Sequence, residues 1–162
     1  MKTLKIVSVL CLVLFVSSCK QDDCLDWKAQ NELWLQENAK REGVITTPTG
    51  LQYKRIYAGP FHNDPNAVRP DNAKMVFVNY SGRLINGYEF SSGDSTTLYV
   101  SDLVPGLVEG LKKMTEFAIY EFYIPYQLGY GKENDDNTEG TSNYIPPYST
   151  LIFYVELNDI PE

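Results

Sequence analysis

Cysteine is scarce in this chain of 162 residues: three occur, Cys11, Cys19 and Cys24, all close to the N-terminus. The long remainder cannot be stapled by disulfides, so its fold must rest on a hydrophobic core. Histidine occurs once, at His62 in a polar stretch, and reads as a solvated loop residue. No cluster of metal-ligating residues has a ligand-like spacing, so neither a metal nor a cofactor is expected. Basic residues are outnumbered, 14 against 21 acidic ones, and a formal charge of −7 makes nucleic acid a poor partner. Tryptophan is confined to Trp27 and Trp34. The apolar run from Ile6 to Val16 is shorter than the roughly 18 residues that a spanning helix needs.

That run has a different use. In "MKTLKIVSVLCLVLFVSSC", Lys2 and Lys5 precede the apolar segment, and two small residues lead to Cys19. The pattern resembles a bacterial lipoprotein signal, with residues 1–18 removed as a signal peptide. The resemblance implies that Cys19 becomes the acylated first residue, holding the chain to a membrane by an N-terminal lipid anchor. Loss of Lys2 and Lys5 leaves 12 basic and 21 acidic side chains in 144 residues, a charge of −9. Cys24 is then the one free thiol. Lys20 after the cysteine points to the outer membrane, and Asp22-Asp23 is similar to lipoprotein surface-export signals. The expected location is the cell envelope, lipid-anchored, at the periplasmic or surface face of the outer membrane.

Residues 19–43 form a tether and an N-terminal helix. Trp27, Trp34 and Leu35 recur at helical spacing, Lys40 and Arg41 follow in the last turn, and Gly43 is a stop. A helix of about 16 residues would span about 24 Å, too short for an extended dimer arm. Docking of its tryptophans on the parent domain is favoured over pairing with a second copy.

Residues 44–162 read as one domain. Gly50 to Gly59, Ala73 to Leu84, Glu116 to Pro125 and Ser149 to Ile160 are rich in β-branched and aromatic residues, as strands are. Asn86-Gly87 marks a tight turn. "PGLVEGLKKM" (Pro105 to Met114) breaks the pattern: proline opens a helix, and Leu107, Val108, Leu111 and Met114 share a face. The expected class is α+β, a curved antiparallel sheet around one short helix, preceded by the N-terminal helix. Phe61 to Asn72 reads as a surface connection and the acidic stretch Gly131 to Asn143 as a solvated loop, since it lacks calcium-loop spacing.

"FVNYSGRLINGYEFSS" (Phe77 to Ser92), "LVPGLVEGLKKM" (Leu103 to Met114), "FYIPYQLGYG" (Phe122 to Gly131) and "YIPPYSTLIFYVEL" (Tyr144 to Leu157) follow one another in a telling order. With the lead-in "TPTGLQYKRI" (Thr47 to Ile56), they resemble the FKBP-type peptidyl-prolyl cis-trans isomerases. The resemblance implies a shallow apolar pocket between sheet and helix that takes proline-containing polypeptides. Tyr130, Val104 and Phe90 would act on the bond: the Tyr130 hydroxyl and the Val104 N–H would hold the substrate carbonyl. Tyr80, Ser91, Leu98, Leu103, Leu107, Ile145 and Phe153 would bind the substrate, with Tyr144 at the rim. The Ile145-Pro146-Pro147 corner would overhang the pocket.

Two positions depart from the family. Ser91 stands where an aspartate is usual, and Leu107 replaces the usual floor tryptophan. Two readings follow: an isomerase assisting the folding of extracytoplasmic proteins, or an envelope binding module with weak or no turnover.

Overall fold

The computed structural model describes residues 26–70, 75–132 and 143–161. The signal segment, Cys19, Cys24 and most of the acidic stretch, residues 133–142, lie outside the described residues.

Helix α1 (Trp27–Asn38) opens the described chain, and Asp26 caps it by accepting from the Ala29 N–H at 2.8 Å. It has 12 residues, shorter than the sequence pattern suggests, and Lys40 and Arg41 fall past its end. The buried stripe on α1 is not wholly apolar: Asn31 and Asn38 are its fully buried residues, and Trp27 and Trp34, each partly buried, flank them. Trp34 tilts onto Tyr123 at 5.7 Å, the Arg41 guanidinium lies over the Trp34 ring at 5.2 Å, and Trp27 packs against the main core. Both tryptophans therefore dock on the parent domain.

Six antiparallel strands follow: β1 (Val44–Thr46), β2 (Gln52–Tyr57), β3 (Met75–Arg83), β4 (Glu89–Tyr99), β5 (Ile119–Ile124) and β6 (Leu151–Asp159). They pair in the order β1-β2-β5-β6-β3-β4. β5 and β6 are central strands, paired along both edges, and most of their residues are buried although Tyr154 stays 39% exposed; this gives β6 its largely apolar sequence. The strand β4 was not legible as one: "SSGDSTT" is polar because β4 is an outer strand, half in water, that borrows its order from β3 along the whole of its length. Asn86-Gly87 turns the chain between β3 and β4 as expected, with Gly87 at φ +85°.

Helix α2 (Pro105–Leu111) lies on the sheet's inner face with Leu107 and Leu111 buried. It is shorter than the expected segment, and Met114 is buried in the turns that follow. Gly110 lets the helix lie against β5, because a Cβ there would stand 2.5 Å from the Phe122 ring. Tyr120, Phe122, Ile124, Leu151, Val155 and Leu157 complete the core between helix and sheet.

Candidate functional site

Three strands and the start of α2 raise side chains into one hollow of about 170 Å³. Tyr80 comes from β3, on the same face as Val78, opposite a bulge whose extra residue lies on β4: Val78 pairs with Thr96 and Tyr80 with Gly93. Phe90 and Ser91 come from β4, and Phe153 from β6. Register brings them together: Gly82 on β3 pairs with Ser91 on one side and Phe153 on the other. Phe90 and Phe153 meet edge to face at 5.5 Å, and Tyr80 tilts toward Phe153 at 6.4 Å. A Cβ at Gly82 would lie 2.8 Å from both phenylalanine rings, so only glycine lets the rings close over β3.

The opposite wall comes from the link into α2. A tight turn at Val100–Asp102 leads through extended Leu103 to Val104, which caps the helix with its carbonyl accepting from the Leu107 and Val108 N–H groups. Pro105 then starts the helix and aims Leu107 at the floor. Leu98 from β4 completes the apolar lining. Tyr130 closes the site from a turn in which the Gly129 and Gly131 N–H groups both donate to the Tyr126 carbonyl. Gly131 adopts φ +84°, a conformation that suits glycine. Tyr130 is 44% exposed, so its ring roofs the hollow without being spent on the core.

Polar groups are few. The Tyr80 and Ser91 hydroxyls share a hydrogen bond of 3.0 Å. Asp102 brings a carboxylate to the edge and accepts from the Ser101 hydroxyl at 2.9 Å. Sequence reasoning missed Asp102, which sits in a polar run and belongs to no periodic pattern; its place directly before Leu103 was the available signal. The structure thus gathers Tyr80, Phe90, Ser91, Leu98, Leu103, Val104, Leu107, Tyr130 and Phe153 around one hollow. It does not add Tyr144 or Ile145 to the lining: Ile145 is buried in the core at 2% exposure, and Tyr144 is half-buried next to it in the chain.

An apolar box sized for a small ring, with hydroxyls at its edge and an antiparallel sheet wrapped on a short helix, defines a class of groove for compact apolar side chains. Comparison makes the class specific. Residues 66–158 match the family model of the FKBP-type peptidyl-prolyl cis-trans isomerases, and the chain belongs to that family. Residues 17–54 match the domain amino terminal to FKBP-type peptidyl-prolyl isomerase. The FKBP-type 22 kDa peptidyl-prolyl cis-trans isomerase of Escherichia coli K12 is 37% identical over 82% of this chain and 60% of its own length. The outer membrane protein MIP of Legionella longbeachae is 34% identical over 80% of this chain and 52% of its own. The crystal structure of FkpA from Escherichia coli superposes with a TM-score of 0.70 at 35% identity, covering 86% of this chain and 61% of that one. The chain thus spans about half to three-fifths of the length of these relatives.

Proposed function

We propose that the protein is a peptidyl-prolyl cis-trans isomerase that assists the folding of extracytoplasmic proteins. The observation that carries the reading is the convergence of Tyr80, Phe90 and Phe153 over Leu107, with the phenol of Tyr130 above them. The chemistry asks for little more. An X-Pro bond turns slowly because twisting it destroys amide resonance, a barrier of about 18–20 kcal/mol. No bond is made or broken and no proton is lost. The ring of a substrate proline enters the box, and its amide leaves water. The planar amide is the more polar form, so desolvation costs it more than the twisted one. Tyr130 and the Val104 N–H then hold the carbonyl while the bond rotates. Ser91 holds a weaker acceptor than a carboxylate would, and it shares its hydrogen bond with Tyr80.

A refolding assay on a proline-limited substrate, or a protease-coupled assay on an X-Pro peptide, tests the reading. Catalysis above the uncatalysed rate supports it. Saturable peptide binding with no rate enhancement overturns it in favour of a binding module.

The site of action is the cell envelope, with the chain held through acyl groups on Cys19. The Val16 to Cys19 pattern supports this, as does kinship with a protein named for the outer membrane. Stable anchoring needs more than one acyl chain. In a Gram-negative host the full chain is expected to partition with membranes and incorporate labelled palmitate, and Cys19→Ser to lose both. A labelled, membrane-bound Cys19→Ser protein would disprove the anchor.

A further inference from the structure

The corner from Pro146 to Thr150 has few means of holding itself. Pro146 and Pro147 have no N–H to donate. Tyr148 stands at φ +63°, a left-handed conformation that costs a bulky residue free energy and persists only where surroundings impose it. The corner must therefore be held from outside, and α1 does much of the holding. The Trp27 indole N–H donates to the Ser149 hydroxyl at 2.9 Å, and that hydroxyl donates to the Pro146 carbonyl at 2.6 Å. Asn31, 1% exposed, accepts from the Thr150 N–H at 2.7 Å while its own amide donates to the Trp27 carbonyl. Lys28 lies over the Tyr148 ring at 5.4 Å.

The same corner holds the turn that carries Tyr130. The Tyr148 N–H donates to the Gly131 carbonyl at 3.0 Å, and the Tyr148 ring meets Tyr126 edge on at 5.2 Å. Tyr126 in turn accepts from Gly129 and Gly131. A continuous chain of contacts runs from α1 through residues 146–150 to the roof of the hollow.

We infer that α1 is a positioning element of the pocket, with Trp27 and Asn31 as positioning residues that fix the Pro-Pro corner and, through Tyr148, the placement of Tyr130. Its effect on turnover rests on the isomerase reading; its effect on the corner does not. Coupling of this kind is reciprocal, so occupancy of the pocket also steadies α1 on the domain.

Amide hydrogen exchange in the full chain tests this, with Tyr148 and Gly131 as reporters and Val155 in the sheet as the control. Asn31→Ala removes the acceptor for Thr150, and Trp27→Phe removes the indole donor while keeping a six-membered ring against the core. Each is expected to speed exchange at Tyr148 and Gly131 by about tenfold and leave Val155 unchanged, the size of one lost hydrogen bond in a local opening. If Asn31→Ala fails to fold, Trp27→Phe decides. On an X-Pro peptide, kcat/KM is expected to fall about fivefold in both variants. Native protection at Tyr148 and Gly131 in Trp27→Phe and in any folded Asn31→Ala overturns the inference, whatever the activity. Accelerated exchange in a chain that never catalyses isomerisation upholds the positioning role and removes the isomerase reading alone.

Discussion

Tyr130 presents a phenol to a mostly apolar hollow while almost half of its surface stays in water. Removing the hydroxyl therefore separates chemistry from stability. Tyr130→Phe is expected to lower kcat/KM roughly tenfold, about 1.4 kcal/mol of transition-state stabilisation, with little change in the urea midpoint. Equal activity in the two proteins would take Tyr130 out of the mechanism. Leu107 poses the opposite question. It is 5% exposed and forms the floor, so an indole at this position either extends into the cavity of about 170 Å³ or presses on the core beneath it. Leu107→Trp in the full chain is expected to raise kcat/KM about fivefold through one aromatic contact of about 1 kcal/mol. A folded variant with unchanged turnover and unchanged peptide binding would count against a proline box. A loss of about 1–3 kcal/mol in stability would instead mark overpacking of the floor.

Among the elements, legibility followed the water. β5 and β6 were readable because they are central strands with most residues buried, and their apolar side chains dominate the sequence there. β4 was not, because it spends alternate side chains on solvent and takes its order from β3. α1 was readable as a helix through its tryptophans, but not in its contacts: Asn31 and Asn38 look solvent-facing in any hydropathy pattern, and they are its most buried residues. Their burial works because each finds a partner outside the helix, Thr150 for Asn31 and Gln52 for Asn38. Eight residues of the hollow lie in the family blocks and Leu98 was expected from the resemblance outside them, whereas Asp102 stands in no block and nothing marked Gly82 as part of the site. Gly82 is an unbranched point on β3 where two rings from neighbouring strands close over the backbone. Gly82→Ala is expected to push Phe90 and Phe153 apart and cost about 1–3 kcal/mol in urea unfolding, with weaker peptide binding than the stability loss alone explains. Native stability and native binding in that variant would show that the rings have slack.

At the scale of the whole molecule, two phenols couple the fold to alkaline pH. Burial pushes the Tyr120 hydroxyl up, against the lowering influence of Arg55. Burial also raises that of Tyr123, helped by its 2.8 Å hydrogen bond to Glu121 and by the charge there. Tyr123 lies under Trp34 of α1, so the proton it keeps protects the seam between helix and sheet. The sign follows from which state holds the proton. Both groups have folded values above the unfolded value of about 10, so the folded state binds more protons once the pH passes 10. Their contribution is complete below that point and is lost as the pH rises through the interval up to the folded values. Each phenol adds a slope of up to about 1.4 kcal/mol per pH unit, about 2.7 for the two together. Unfolding free energies measured in urea should thus show no dependence from these groups between about pH 7 and 9 and a steep fall above about pH 10. Tyr123→Phe should make the fall shallower without abolishing it, because Tyr120 still titrates. An unaltered slope in Tyr123→Phe would mean that Tyr123 ionises as freely in the folded chain as in the unfolded one, and that the seam beneath α1 admits water.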